Sequence, residues 1–295
     1  MWTGVKTIDA LFTLGRGARV GVFGGPGLGK STLIEAIVHG AKADAVVVAL
    51  VGERGREAQV WSVRCDARTT VVVATSDRDA SERVSAAHIA FAQANALATR
   101  GLHVLLLLDS LARFAAAQRD LALEWGAAVG RGGFPPAVFS EIASLVECAG
   151  SFERGSVTLV ATVLNDGDDR DPVSEAVRSL LDGHLQLSPQ LAHAGRFPAI
   201  DLLASNSRTM GAVVSDAHAD AAGRVRSAAA LLERSSDARS LGLTPSDPAT
   251  LRALAGEERL ESLVRQGAAP VASAVTLAAL RQTADILGEP YEHHV

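Results

Sequence analysis

Short apolar runs alternate with segments of helical periodicity over the first two thirds of the chain. Continuous apolar runs, typical of strands buried on both faces of a parallel sheet, predict strands at residues 18–23, 46–51, 71–74, 104–109, 157–164 and 184–187. Helical spacing predicts a helix that ends at Gly40 and another over 81–100. Asp171 and Pro172 predict the N-cap and first turn of a helix that ends near Gly183. This alternation is typical of an open parallel sheet flanked by helices.

The last third of the chain has a different pattern. Beyond about residue 212 the strand-like runs disappear, and helical periodicity covers 216–234, 257–265 and 271–287, with breaks at 244–248 and 267–270. We therefore predict an α/β domain over residues 1–212 and a small C-terminal all-α domain over residues 213–295.

Composition narrows the class of protein. The chain of 295 residues is 48% hydrophobic and 21% charged, which excludes intrinsic disorder. A net charge of −5 argues against a dedicated nucleic-acid binder. Two cysteines, Cys65 and Cys148, cannot make a disulfide framework, and neither the longest aliphatic run (104–108) nor the N-terminus predicts a membrane span or a signal peptide. We expect a soluble, cytoplasmic, globular protein.

A glycine-rich segment follows the first predicted strand and opens the first predicted helix. It reads Gly24-Gly25-Pro26-Gly27-Leu28-Gly29-Lys30-Ser31 and fits GxxxxGK[ST]. Glycines allow backbone N–H groups to converge on phosphate oxygens, and Lys30 adds a cation for the β- and γ-phosphates. The Ser31 hydroxyl is a candidate Mg²⁺ ligand, and Thr32 completes the predicted nucleotide-binding set. The segment predicts a phosphate-binding loop for a nucleoside triphosphate.

Two acidic residues stand at the ends of predicted strands. Asp109 ends the strand 104–109, and Glu53 follows the strand 46–51. Ligands of open α/β sheets bind along the carboxyl edge, so Asp109 can hold Mg²⁺ through water beside Ser31. Glu53 could orient an attacking water and accept its proton. The alternatives are a turn-forming role for Asp109 and a charged surface turn for Glu53.

Seven blocks of sequence stand in an order that one family shares. They are TGVKTIDALFTLGRGARVGVFGGPGLGKSTL, ALVGERGREA, VVVATSDR, VLLLLDSLARFAAAQRD, GGFPPAVFSEIASLVECAG, ERGSVTLVATVLNDGDDRDPVSEAVRSLLDGH and FPAIDLLASNSR. Together they resemble the catalytic subunits of rotary-type ATPases, and above all the type III secretion and flagellar export ATPases. The resemblance implies a RecA-like P-loop domain with a mainly parallel sheet flanked by helices, plus a small C-terminal all-α domain.

The resemblance also implies roles for residues near the phosphate loop. Glu53 matches the glutamate that polarises the lytic water, and the neighbouring Arg54 matches a residue that helps to organise the same site. Asp109 matches the Mg²⁺-associated aspartate, and Arg113 a nearby arginine of the same block.

Two further residues are implied from the last block. Arg208 resembles the finger that is inserted into a neighbouring subunit's site, where a guanidinium can neutralise charge on the transferring phosphoryl group. A structural ion pair is the alternative for Arg208. Phe197, before Pro198, falls where the family places an aromatic or apolar residue against adenine, and core packing is the alternative.

The implied activity is Mg²⁺-dependent ATP hydrolysis that energises protein export through a type III secretion or flagellar apparatus, by chaperone release and substrate unfolding. The implied partners are a homohexameric ring, central-stalk and stator proteins, and secreted substrate–chaperone complexes, with no nucleic acid. The implied location is cytoplasmic, peripheral at the bacterial inner membrane. The alternatives are the catalytic subunit of a proton-translocating rotary ATPase, a hexameric RNA translocase, and a nucleotide-binding subunit without turnover.

Three features depart from the family pattern. Family members carry a small β-barrel domain that contributes to ring closure, whereas this chain starts near the catalytic domain; a truncated chain, a natural short form and a misassigned start all fit. The stretch after GERGREA is shorter than usual, and LALEWGAAVGRGGFPP replaces a more polar, proline-containing loop. These departures bear on ring formation and partner recognition more than on ATP chemistry.

Overall fold

The computed structural model describes residues 1–164, 171–243 and 245–288, and it divides the chain into two compact units. Unit 1 comprises Met1, Gly15–Lys30 and Lys42–Leu187, and unit 2 comprises Trp2–Leu14, Ser31–Ala41 and the chain from Ser188 onward. The two domains predicted from the sequence, 1–212 and 213–295, remain a prediction.

The described residues form eight strands and thirteen α-helices. The strands are β1 (Arg19–Gly24), β2 (Ala45–Glu53), β3 (Thr69–Thr75), β4 (His103–Asp109), β5 (Gly150–Ser151), β6 (Ser156–Leu164), β7 (Gly183–Gln186) and β8 (Asn206–Ser207). The helices are α1 (Lys6–Leu11), α2 (Lys30–Gly40), α3 (Gly55–Arg64), α4 (Ala80–Thr99), α5 (Leu111–Glu124), α6 (Pro136–Glu147), α7 (Pro172–Leu180), α8 (Pro189–His193), α9 (Met210–Val213), α10 (Asp216–Ser240), α11 (Pro248–Ala255), α12 (Glu257–Val264) and α13 (Ser273–Leu287). None of these helices combines the length and apolar character that crossing a membrane requires.

Unit 1 is built on a parallel sheet. Its strands lie in the order β3-β2-β4-β6-β1-β7, all parallel, and β5 pairs antiparallel with β6. Phe23 of β1 lies beside Val163 of β6, and Leu50 of β2 lies beside Asp109 of β4. The strands therefore end along one edge, where open α/β sheets bind ligands. The predicted α/β class with a mainly parallel sheet is confirmed.

The core of unit 1 is aliphatic, as the scarcity of aromatic residues indicates. Leu105, Leu106 and Leu107 of β4 have no exposed surface, as expected for a strand that is buried on both faces. The buried face of α4 consists largely of alanines, among them Ala87 and Ala94, whose short side chains permit close approach to the sheet. Burial of apolar surface, worth roughly 25 cal/mol per Å², is the main term that stabilises this arrangement.

The predicted elements of unit 1 agree with the structure to within a few residues. All six predicted strands are present, with ends displaced by no more than two residues. Asp171 is the N-cap of α7, where its Oδ2 accepts a hydrogen bond from the Ser174 N–H at 2.8 Å. The helix ends at Leu180 rather than near Gly183, because β7 already begins at Gly183.

Unit 2 contains the helical tail and corrects the prediction there. α10 continues to Ser240, six residues past the predicted end at Arg234, and buries a stripe that includes Ala221, Val225 and Leu232. α11 was not predicted, although Asp247 caps it by accepting from the Thr250 N–H at 2.8 Å. α12 and α13 begin and end within two residues of the predicted bounds.

A buried aspartate fixes the N-terminal turn of unit 2. Asp9 Oδ1 accepts hydrogen bonds from the Thr3 N–H at 2.7 Å and the Thr3 hydroxyl at 2.8 Å, while Oδ2 accepts from the Gly4 N–H at 2.8 Å. Burial raises the pKa of Asp9 to about 6, although these three hydrogen bonds act to lower it. The turn therefore depends on a carboxyl group that titrates well above its ordinary range.

The raised pKa predicts a pH dependence of stability. Between 3.8 and about 6 the folded state holds the Asp9 proton more tightly than the unfolded chain, so the free energy of unfolding falls as pH rises through that window. A difference of one pKa unit between the folded and unfolded states changes the free energy of unfolding by about 1.4 kcal/mol. Urea unfolding of wild type and Asp9→Asn at pH 4.5 and pH 7 should show the wild-type advantage shrinking at the higher pH. An advantage that is constant with pH would contradict this titration.

Candidate active site

The phosphate loop lies where the sequence places it, between β1 and α2. Gly27 and Gly29 have φ values of +77° and +83°, a region that favours glycine. Leu28 is buried and anchors the loop, whereas Pro26 and Gly27 are exposed. Ser31 and Thr32 are exposed in the first turn of α2, a helix whose N-terminal end favours anions.

Lys30 lies across this loop. Its ammonium group donates hydrogen bonds to the carbonyl oxygens of Gly24 and Gly25, the latter at 2.6 Å. A flexible cation, backbone turns that only glycine tolerates and a helix N-terminus together suit a polyphosphate anion. The donor set of this loop therefore fits a nucleoside triphosphate.

The two predicted carboxylates end adjacent strands of the sheet. Glu53 is the last residue of β2 and is 7% exposed, and Asp109 is the last residue of β4. Thr162 of β6, which is fully buried, donates a hydrogen bond to Asp109 Oδ1. The threonine fixes the orientation of the aspartate, and the strand order places both carboxylates at the ligand-binding edge.

Arg113 joins the ends of β2 and β4. Its Nε lies 3.0 Å from Glu53 Oε1, and its Nη1 donates to the Gly52 carbonyl oxygen. Its backbone N–H in turn donates to the hydroxyl of Ser110, the N-cap of α5, at 3.3 Å. Arg113 is held at the end of β4 by the start of α5, and its guanidinium contacts the end of β2. It therefore restrains the Glu53 side chain.

The charged groups of this edge shift each other's protonation. Burial raises the pKa of Glu53 to about 8, assisted by a hydrogen bond with Glu57 and the charge of Asp109 and opposed by Arg113. Burial likewise raises the pKa of Asp109, against the hydrogen bond from Thr162 and the attraction of Lys30. A nearby cation favours the ionised form of carboxyl groups that are crowded in this way.

This edge also fits a magnesium ion. Carboxylate oxygens are ligands that Mg²⁺ prefers, and the ion keeps several waters and takes further oxygens from phosphates. Within the described ranges no group of three or more His, Cys, Asp or Glu side chains forms a metal cage. The Asp109 carboxylate is therefore suited to a metal that phosphate and water would mainly hold.

The predicted site residues divide between the two units. Lys30, Glu53 and Asp109 lie in unit 1, where they act on one another electrostatically. Arg54 is also in unit 1; its side chain is exposed and its carbonyl accepts from the Glu57 N–H at 2.9 Å at the start of α3.

Four of the predicted residues, Ser31, Thr32, Phe197 and Arg208, lie in unit 2. Phe197 is 45% exposed, which disfavours simple core packing of its ring. Arg208 is exposed after β8, and among the described carboxylates none forms an ion pair with it. The roles of these residues, like those of the residues in unit 1, remain predictions.

Two residues at this edge are not predicted from the sequence. Glu57 lies in the first turn of α3, four residues after Glu53, and its charge acts on both Glu53 and Asp109. Thr162 is one of the few polar residues in the otherwise apolar run of β6. A polar residue inside a buried strand was the available signal for the second residue.

A family comparison agrees with this geometry. The family model described as the ATP synthase alpha/beta family, nucleotide-binding domain, matches residues 4–207. That span includes the phosphate loop, both carboxylates and the strand β8 that precedes Arg208.

Curated relatives with high sequence identity are named for type 3 secretion and for the flagellum. A type 3 secretion system ATPase of Sinorhizobium fredii is 47% identical over 271 residues, which cover 89% of this chain and 60% of that protein. A flagellum-specific ATP synthase of Salmonella typhimurium is 40% identical over 275 residues, covering 90% of this chain and 60% of that protein. This chain thus spans about three fifths of the length of these curated relatives.

A solved structure confirms the predicted RecA-like fold. The assembled ATPase EscN of the enteropathogenic E. coli type III secretion system, in complex with its central stalk EscO, superposes with a TM-score of 0.90. The two sequences are 38% identical, and the match covers 96% of this chain and 70% of EscN.

Proposed function

Because this chain belongs to the ATP synthase alpha/beta family, we propose that it hydrolyses ATP with Mg²⁺ and energises protein export through a type III secretion or flagellar apparatus. ATP hydrolysis would drive the release of chaperones from secreted substrates and the unfolding of those substrates. The observation that carries the proposal is the buried Glu53, restrained by Arg113 beside Asp109 at the edge of the sheet. The names of the relatives support export as the process served.

In the proposed mechanism, the loop from Gly24 to Ser31 binds the triphosphate, and Lys30 contacts the β- and γ-phosphates. Ser31 and Asp109 would hold Mg²⁺, which supplies charge neutralisation on the phosphate oxygens. Thr32 adjoins the phosphates at the start of α2, and Phe197 contacts adenine. These residues position the γ-phosphate for in-line attack by water.

Glu53 acts as the general base in this mechanism. It orients the attacking water and accepts its proton as the bond to phosphorus forms. A pKa of about 8 lies close to neutral pH, where a base both accepts and releases a proton efficiently. Arg113 restrains Glu53, and Arg54 helps to organise the same site.

We further infer that the complete site is shared between neighbouring chains of a homohexameric ring. The exposed guanidinium of Arg208 enters the adjacent protomer's site and stabilises charge on the transferring phosphoryl group. A central stalk, a stator and secreted substrate–chaperone complexes are the proposed partners, at the cytoplasmic face of the inner membrane. The description of EscN as assembled and bound to a stalk supports this proposal.

Replacing Lys30 with alanine tests the nucleotide site. We expect Lys30→Ala to weaken MgATP binding at least tenfold, or about 1.4 kcal/mol, because the cation nearest the phosphates is lost. Titration calorimetry measures binding, and phosphate release measures turnover. Lys42→Ala, at an exposed lysine in unit 1, is the matched control and should bind like wild type. Equal affinity of the Lys30 and Lys42 variants would rule out the phosphate loop as the binding site.

A further inference from the structure

Gln266, just beyond α12, connects three separate segments of unit 2. Its Oε1 accepts from the Lys6 N–H at 2.7 Å, and its Nε2 donates to the carbonyl oxygens of Gly4 and Ala269, each at 2.8 Å. Its backbone N–H donates to the Phe197 carbonyl oxygen at 2.9 Å. One residue therefore bonds the N-terminal segment, the helical tail and the segment that carries Phe197.

The N-terminal segment is bonded to the tail on both sides of Gln266. The Thr7 hydroxyl donates to the Val264 carbonyl at 3.0 Å, and the Val271 N–H donates to the Gly4 carbonyl at 2.8 Å. We call residues 3–9 with residues 262–271 the entry–tail junction. Its two halves are more than 250 positions apart in sequence, so tertiary contacts alone hold them together.

The helix of the phosphate loop ends against this junction. A Cβ added at Gly40, the last residue of α2, would lie 2.3 Å from the Thr3 carbonyl oxygen and 3.0 Å from the Pro270 Cβ. Only a glycine permits this approach, and the neighbouring atoms belong to Thr3, Gly4 and Pro270 rather than to the Gln266 side chain, so loss of that side chain leaves the contact with α2 in place. Ser31 and Thr32 lie at the opposite end of the same helix.

The Phe197 segment is restrained by the tail at a second point. Nη1 of the preceding Arg196 lies 3.2 Å from Glu261 Oε1 in α12. The backbone of this segment is thus held by the ion pair and by the Gln266 hydrogen bond, while the Phe197 ring itself remains 45% exposed. An exposed ring on a fixed backbone is suited to stacking against a ligand.

We propose that Gln266 is a positioning residue for the base end of the nucleotide. It holds the Phe197 backbone through the entry–tail junction, so the helical tail sets the affinity for adenine without contacting it. This inference rests on the proposed function, in which Phe197 contacts adenine.

Gln266→Ala tests the inference through two ligands, MgATP and magnesium tripolyphosphate, which has no base. Loss of the side-chain hydrogen bonds should weaken MgATP binding about five- to tenfold and change tripolyphosphate binding by less than about twofold. Titration calorimetry measures both affinities. Gln282→Ala, at an exposed glutamine in α13, is the matched control and should bind both ligands like wild type. Equal losses for both ligands, or no loss for either, would overturn the proposal.

Two further variants separate the possible failures. Phe197→Ala should weaken MgATP alone; if it has no effect, the placement of Phe197 against adenine fails, and this inference fails with it. If Phe197→Ala weakens MgATP and Gln266→Ala does not, only the role of Gln266 fails. Should Gln266→Ala not fold, Gln266→Glu serves instead, since it keeps the acceptor for the Lys6 N–H and removes the two donors. Gln266→Glu should show the same selective loss of MgATP affinity, and unchanged MgATP affinity in this variant would overturn the proposal.

Discussion

Replacing Glu53 with glutamine should remove most ATP hydrolysis and leave MgATP affinity within about twofold of wild type. The amide has the size of the carboxyl group and cannot accept the proton of the attacking water. General-base catalysis contributes roughly 10²- to 10⁴-fold to rate, and we expect turnover to fall by that factor. Phosphate release with calorimetry on the same samples separates turnover from binding.

The control for this substitution is Glu82→Gln, at an exposed glutamate in α4 of the same unit. It should leave both rate and affinity unchanged. Turnover by Glu53→Gln equal to that of wild type would show that another group is the base. A parallel loss of binding would instead indicate that Glu53 supports the structure of the site.

Replacing Arg208 with alanine should lower turnover by about 10³- to 10⁵-fold, the range measured for arginine fingers. The side chain is exposed, so its removal should leave the fold and the chain's own ATP affinity nearly intact. Arg208→Lys should recover little activity, because an ammonium lacks the planar fork that neutralises two phosphoryl oxygens at once. Phosphate release at saturating MgATP measures each effect.

Arg281→Ala provides the comparison, since Arg281 is an exposed arginine of α13 in the same unit. This control should hydrolyse ATP like wild type. If Arg208→Ala were equally active, Arg208 would not act as a finger.

Local sequence signals account for much of the fold and for the phosphate loop. The strand β4 is predictable because an unbroken run of leucines fits a strand covered on both faces. Lys30 is predictable because GxxxxGK[ST] specifies both the loop and its strand–helix surroundings. The Asp171 cap of α7 follows from the residue types of one turn.

The other features depend on contacts that no local pattern contains. Thr162 meets Asp109 only because β6 lies beside β4, and strand order is set by the whole sheet. Gln266 meets Lys6 across 260 positions. The helix α11, by contrast, does have a local signal, because Asp247 is followed by a proline as Asp171 is. The surrounding turn-forming residues at 244–248 instead favour a break between helices, so the helix is not predicted.

The measurement that tests the central claim most directly mixes the two inactive variants. A site takes Glu53 from one protomer and Arg208 from its neighbour, so in an equal mixture it is complete where an Arg208→Ala chain supplies Glu53 and a Glu53→Gln chain supplies the finger. Random assembly into a ring makes about a quarter of the sites complete, so phosphate release should rise from near zero towards a quarter of the wild-type rate. No recovery at any mixing ratio, while the wild-type chain hydrolyses ATP under the same conditions, would contradict the shared site.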